Sequence, residues 1–274
     1  MDIQEINISQ CRSFADNPFQ VRDDTAMELL AESIRENGVL IPVVVKPQQD
    51  GYEVISGHRR IHAAQKAGLE KVPAFIRELD RDSAVIFLVD SNLHREGLLP
   101  SEKAFAYRMK LEAMKHQGRA SAQVGQTSVQ RLADQSEDSR TQVQRYIRLT
   151  YLQKGLLDLV DKERIALTPA VELSYLLPEE QRDLLETIES EDCTPSYSQS
   201  VRMRKLSAEG LLTMDSIFEI LTEVKGNQKE YLKLPVERYE RYLRRFRTPK
   251  EKEDFIEKAL AYYSRYLERK REAR

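Results

Sequence analysis

Two short polar motifs carry most of the chemistry legible in this chain, Ser56-Gly57-His58-Arg59-Arg60 and Ser91-Asn92-Leu93-His94-Arg95-Glu96. The first opens an expected helix directly after an expected strand. Gly57 lets the backbone turn tightly there, so the first amides of the helix and the positive end of its dipole face an anion. Arg59 and Arg60 add planar donors that match phosphate oxygens. The second motif closes another helix. Asn92 can offer a carbonyl to a hydrated metal or an amide to phosphate, and Arg95 lies a turn further along on the same side. A glycine turn, a helix start, three arginines and an amide are together what a polyphosphate needs. Taken singly, each has an ordinary alternative: Gly57 as a plain turn, Asn92 as a helix cap, Arg95 as the partner of Glu96 or Asp90.

The elements that position these residues follow from the pattern around them. Thr25-Ala26-Met27-Glu28 has the form of a capping box, followed by a stripe of Leu29, Leu30 and Ile34 that stops at Gly38. Ile41 to Lys46 reads as a strand, Asp50-Gly51 as a hairpin turn and Tyr52 to Ile55 as the returning strand. A helix is expected from His58 to Ala67, a strand from Val72 to Arg77, and a helix from Asp80 to Asn92 that buries Ala84, Val85, Leu88 and Val89.

From Pro100 the pattern is helical. Ser101 is expected to cap a helix that Gly118 ends, and Arg119 to Gln126 reads as a linker. Thr127–Gln135 and Ser139–Leu152 form two helices around Ser136-Glu137-Asp138. Leu132 and Ala133 on the first and Val143 and Ile147 on the second would pack together, the arrangement of a helix-turn-helix. That leaves Ser139, Arg140, Thr141, Gln142, Arg145 and Arg148 towards solvent. Arg and Gln suit base edges there, and Ser and Thr suit phosphate. Further helix starts stand at Thr168-Pro169, at Pro178 and at Cys193-Thr194-Pro195-Ser196. Pro235 and Thr248-Pro249 divide the last third.

Composition narrows the classes. A length of 274 residues predicts two or three domains, read as residues 1–97, 98–192 and 193–274. The 43 Lys+Arg and 45 Asp+Glu give a net charge of −2, which excludes a wholly basic nucleic-acid coat but leaves room for local basic faces. No apolar run has the length of a signal peptide or membrane span, so the expectation is a soluble, cytoplasmic protein. Cys11 and Cys193 stand far apart without ligand-spaced partners, so neither a disulfide framework nor a zinc site is expected.

Asn17-Pro18-Phe19-Gln20-Val21-Arg22, followed by the two motifs above and the helix-turn-helix, resembles the ParB partition family with its RepB and nucleoid-occlusion relatives. The resemblance runs from about Ile8 to Leu177. It implies an α+β chain: a small α/β domain related to sulfiredoxin that binds CTP with Mg2+, then an all-helical domain that reads a palindromic, centromere-like duplex DNA site. Carried over, Gly57, His58, Arg59 and Arg60 hold the triphosphate, Asn92 approaches the metal, Arg95 contacts phosphate, and Gln20 and Arg22 line the nucleotide. The family further implies a homodimer that closes as a CTP-gated clamp, a ParA-type ATPase partner, and association with a nucleoid or plasmid in plasmid, mobile-element or chromosome segregation.

Ser91 departs from that pattern. Many members place an acidic residue before the Asn, and a hydroxyl cannot carry its negative charge, which puts CTP hydrolysis in doubt and leaves the catalytic residues unassigned. Sulfiredoxin chemistry is excluded, because Gly57 occupies the position that would need a nucleophilic cysteine. A nucleotide-independent transcription regulator and a kinase or nuclease on the same scaffold are the alternatives. The segment from Leu234 to Arg274, alternating Tyr, Leu and Phe with Arg and Lys, suits dimerisation, nonspecific DNA contact or both.

Overall fold

The computed structural model describes residues 3–120, 128–134, 136, 138–223, 236–246 and 248–272. The chain divides into two units, Met1–Glu223 and Val224–Arg274. The expected linker beyond Ala120, the turn residue Glu137 and the Pro235 boundary lie outside the described residues.

The first unit is α+β. Its opening segment runs β1 (Ile3–Asn7), a 3-10 turn, β2 (Cys11–Ser13), α1 (Thr25–Asn37), β3 (Val43–Gln48), β4 (Gly51–Ser56), α2 (His58–Lys66), β5 (Lys71–Ile76) and α3 (Arg81–Leu93). The strands form one mixed sheet in the order β1-β5-β3-β4-β2, with β3–β5 and β2–β4 parallel and the remaining pairs antiparallel. Successive residues of β4 serve different cores, because side chains alternate across a strand. Val54 joins Val43, Val45, Met27, Ile34 and Ile61 beneath α1 and α2. Ile55 joins Ala84, Leu88 and Val89 of α3. The sheet is therefore covered on both sides, and the register of β3 against β4 shifts between Val44 and Val45, opposite the end of β4 from which Gly57 emerges.

Several expectations change here. Asp24, not Thr25, caps α1, its carboxylate accepting from the Met27 amide at 2.8 Å. The buried stripe of α1 is Met27, Ala31 and Ile34, while Leu29 is exposed. Strand β3 begins at Val43 rather than Ile41; Leu40 and Ile41 are both exposed. Strands β1 and β2 were not foreseen.

Among the described residues, eight helices complete the unit: α4 (Pro100–Ala120), α5 (Ser128–Asp134), α6 (Arg140–Leu149), α7 (Lys154–Asp161), α8 (Leu167–Leu173), α9 (Pro178–Glu191), α10 (Tyr197–Ala208) and α11 (Met214–Thr222). Helix α4 passes through Gly118, which therefore stops nothing. Ser101 lies inside its first turn instead of capping it; its amide and hydroxyl bond the Asp161 carboxylate at 2.9 and 2.5 Å. The α3–α4 core continues without a break through Ala106, Tyr107 and Leu111 to Leu132, Ala133 and Val143 of the helix pair. A further core gathers Leu149, Leu156, Leu173, Leu184, Met203, Ile217 and Ile220, so α10 and α11 pack with the helical body.

In the second unit, α12 (Val236–Leu243) and α13 (Pro249–Glu272) enclose an apolar cavity lined by Tyr242, Leu243, Phe255, Ile256 and Leu260, with Phe246 and Phe255 at 4.8 Å between ring centroids. Tyr262, Tyr263, Tyr266 and Leu267 of α13 are exposed. No helix among the described residues is long and apolar enough to cross a membrane.

One ion pair fixes α3 against α4. The Lys110 side chain is 1% exposed and its ammonium sits 2.5 Å from the Asp90 carboxylate. Replacing Asp90 by Ala strands a buried cation, whereas Lys110→Met removes cation and need together. Chemical denaturation followed by circular dichroism should show Asp90→Ala losing about 1–3 kcal/mol of stability, and Lys110→Met losing less.

Candidate functional site

A cavity of about 170 Å³ brings together residues from three separate stretches of chain: Asn17, Phe19, Gln20 and Val21; Ser56 to Arg60; and Ser91, Asn92 and Arg95. The first stretch is shaped by an Asx turn, the Phe19 amide donating to Asn17 Oδ1 at 3.1 Å, and is anchored by the Phe19 ring in the core beside α3. The second comes off β4 and starts α2. The third is the last turn of α3 and the residues after it. Sequence position separates these motifs by tens of residues; the sheet and α3 return them to one place.

Gly57 is the turning point, with φ 103° and ψ 21°, a left-handed conformation. A Cβ added there would stand 2.7 Å from Val43 Cγ1. Because the cap residue is glycine, α2 has no side-chain cap, and the Ile61 amide is the first to bond back, to Gly57 O at 3.0 Å. The amides of His58, Arg59 and Arg60 precede the first intrahelical bond and sit at the positive end of the dipole.

The arginines are held in different ways. Arg60 donates from Nη1 to the carbonyls of Ile41 at 2.6 Å and Pro42 at 2.8 Å, and burial pulls its pKa down. It thus fixes the loop before β3 as well as facing the cavity. Arg59 stands 3.6 Å from Asp24, the cap of α1. Arg22, just outside the cavity lining, stands 3.5 Å from Glu102 of α4. Arg95 has its pKa lowered first by burial and then by the like charges of Arg59 and Arg22, with Glu102 and Asp24 opposing. Three guanidinium groups therefore crowd one another around the cavity, an arrangement that an anion relieves.

His58 is mostly buried, and desolvation pushes its pKa down to about 4. Its Nε2 accepts from the Phe14 amide at 3.5 Å, so the ring is neutral with its proton on Nδ1. Asn92 donates from Nδ2 to Leu88 O at 2.8 Å and to Ser91 Oγ at 3.2 Å, leaving Oδ1 as its acceptor. The Ser91 hydroxyl donates to Leu88 O, and the Asp90 carboxylate is committed to Lys110. Gln20 contributes to the lining, and its amide is held by Glu102 Oε1 at 2.8 Å.

Glu102 was missed from sequence. It is 3% exposed and joins the first stretch to α4 through bonds to Gln20 N and Leu99 N, the latter at 2.8 Å. The signal was present: Pro100 at the first helical position and a glutamate two residues on form half of a capping box.

The helix pair matches expectation in its core and differs on its face. Ser139 caps α6, its hydroxyl accepting from the Gln142 amide at 3.3 Å, and Ser139, Arg140 and Thr141 are exposed with Gln142 beside them. Arg145 is half-buried and donates to Thr168 Oγ1 at 2.8 Å. Arg148 departs from the expected exposed set. It bonds Ser174 Oγ at 3.0 Å and Ser174 O at 2.8 Å, and its guanidinium lies 3.8 Å from the Tyr175 ring centroid. The helix ends at Leu149, so Arg148 falls in its last turn and points into the α8 junction. Asp138, directly before the cap, accepts from the Tyr107 hydroxyl at 2.6 Å and Lys103 Nζ at 3.2 Å.

Residues 1–93 match the family described as ParB N-terminal domain. The chromosome-partitioning protein Spo0J of Thermus thermophilus is 34% identical over 196 residues, which is 70% of this chain and 68% of that protein. The stage 0 sporulation protein J of Bacillus subtilis is 33% identical over 161 residues, 58% of this chain and 52% of that one. A solved structure of the C-terminally truncated chromosome-partitioning protein ParB from Caulobacter crescentus, complexed with CTP-gamma-S, shares 26% identity, covering 69% of this chain and 99% of that one at a TM-score of 0.33.

The neutral imidazole has a consequence for stability. Below its ordinary 6.5 the unfolded chain takes up a proton that the folded chain refuses until about pH 4. Unfolding free energy measured by denaturant titration should therefore fall, by up to ~3 kcal/mol, as pH drops across that window, and His58→Gln should flatten the dependence there.

Proposed function

The chain belongs to the ParB family of chromosome-partitioning proteins, and from that premise we propose that it is a sequence-specific DNA-binding partition protein controlled by CTP at the Gly57 pocket. The observation that carries this reading is the meeting of three distant motifs around one basic cavity at an uncapped helix start. The triphosphate lies against the first amides of α2, with Arg59 and Arg95 as its principal charge partners and Gly57 leaving room where a side chain would stand. Gln20, His58 and Arg60 line the same cavity, and Arg22 borders it. Arg60 divides its donors between the ligand and the loop carbonyls of Ile41 and Pro42.

A triphosphate fits these residues, and a magnesium ion fits them only with the phosphates present. Among the described residues no group of three or more His, Cys, Asp and Glu could hold a metal. Magnesium keeps most of its waters and takes its remaining ligands from phosphate and one or two protein oxygens, here Asn92 Oδ1. With a hydroxyl at Ser91 and Asp90 engaged by Lys110, we assign the pocket to binding and gating rather than to turnover.

Helix α6 reads a palindromic duplex site through Arg140 and Gln142, with Ser139 and Thr141 on the phosphate backbone and Arg145 steadied by Thr168. Two copies act together as a clamp whose closure follows nucleotide occupancy, in the cytoplasm, on a chromosome, plasmid or mobile element and alongside a ParA-type ATPase. The linkage is thermodynamic: a ligand that contacts elements arranged differently in two states shifts their populations.

Calorimetry with each ribonucleoside triphosphate and magnesium tests the pocket. CTP should bind, and Arg59→Ala or Arg95→Ala should weaken it at least about 10-fold, equivalent to roughly 1.4 kcal/mol, while selected duplex DNA still binds. Absence of heat with every nucleotide rejects the pocket. Against selected and scrambled duplexes, Arg140→Ala should cost about 1–3 kcal/mol of specific binding. Arg148→Ala should instead lower the melting temperature.

A further inference from the structure

We propose that Arg81 is a positioning residue for the nucleotide pocket: with Glu53 it fixes the turn at residues 14–17 and so presets the wall formed by residues 17–21. The role rests on the nucleotide reading above. Arg81 is the first residue of α3, is half-exposed, and does not line the cavity itself. Its side chain instead meets the turn that leads into the wall. Nη2 donates to Ala15 O at 3.2 Å, Nη1 stands 3.5 Å from Glu53 Oε1, and the guanidinium lies over the Phe14 ring, 4.3 Å from its centroid. Glu53, on β4 and 5% exposed, accepts from the Ala15 amide at 3.2 Å. Both polar groups of the Ala15 backbone are therefore taken by one pair of side chains, each from a different element.

This turn needs holding. Asp16 stands at φ 60°, in the left-handed region that a residue other than glycine enters at a cost, with its carboxylate 3.5 Å from the same Nη2. The Asn17 amide closes the turn on Phe14 O at 3.2 Å, and the Phe14 amide is taken by His58, the residue that opens α2. The far end of the wall is tied at the Gln20 amide to Glu102. Its near end is tied by Arg81, Glu53 and His58. The task there calls for a fork more than for a charge. A guanidinium meets a carbonyl and a carboxylate in one plane while lying flat on an aromatic ring, whereas an ammonium keeps the charge and loses both the fork and the stack. Without the fork the wall stands in its binding shape only part of the time, and a pocket competent in a fraction of molecules binds more weakly by that fraction.

Calorimetry of the full chain with magnesium-CTP, paired with amide hydrogen exchange of the nucleotide-free protein followed by NMR, tests the role. Arg81→Ala and Arg81→Lys, at a temperature where both are folded, should each weaken CTP at least about 10-fold. Both should also speed exchange at the Ala15 and Asn17 amides while leaving Ile61 of α2 protected. If Arg81→Ala fails to fold, as shown by its melting curve, Arg81→Lys decides alone. Wild-type affinity in Arg81→Lys would reduce Arg81 to a distant charge and overturn the proposal. Variants that melt earlier but bind CTP as before would make the contact purely structural and overturn it too, as would weaker binding with unchanged exchange; each of these leaves the pocket standing. A wild type that binds DNA but no nucleotide overturns the pocket reading and the positioning role with it.

Discussion

The basic cavity depends on one backbone constraint. A helix that begins on a glycine in the left-handed region has neither a capping side chain nor a Cβ to fill the space in front of its first amides. Any non-glycine residue at position 57 would meet Val43, a wholly buried member of the sheet core, and would have to adopt an unfavourable φ. The open donors are thus secured by the packing of β3, and the arginines gather around a hole that the fold itself keeps open.

Around that hole the charges are balanced but not at rest. Arg59, Arg60 and Arg22 each have a local acceptor drawn from a different element: Arg59 has the cap of α1, Arg60 the loop before β3, Arg22 the first turn of α4. Ion pairs at half-exposed positions contribute little individually. Their weight lies in wiring, since whatever attracts these cations pulls on three parts of the molecule together.

Much of this was readable from the sequence, and the reasons for success and failure are physical. Gly57, Arg59, Asn92 and Arg95, which line one cavity, could be singled out because a glycine after a β-branched run and an amide at a helix end are local signals. So could the cores of the helix pair, where Leu132 and Val143 are wholly buried. The edge strands β1 and β2 escaped because an edge buries few side chains: β1 buries only Ile6, and β2 none fully. Helices α7 and α11, of eight and nine residues, were passed over although each has a local signal, the Leu156, Leu157 and Val160 stripe in one and the Thr213 cap in the other; being short, they gain their stability from the core they share with α9 and α10. Arg148 was misjudged because its position in α6 is set by Ser174, and Glu102 was overlooked because it meets Gln20 from 82 residues away.

The stack at Tyr175 extends the reach of α6. Its ring lies between Arg148 at 3.8 Å and Arg204 of α10 at 3.7 Å, and Arg204 is in turn tied to Glu172. The end of α6, the proposed recognition helix, is thereby clasped to a distant part of the chain. Ordering entropy that a looser helix end would lose on meeting any ligand has already been surrendered during folding. Drift in α10 would then be felt at the end of α6 through a single aromatic ring.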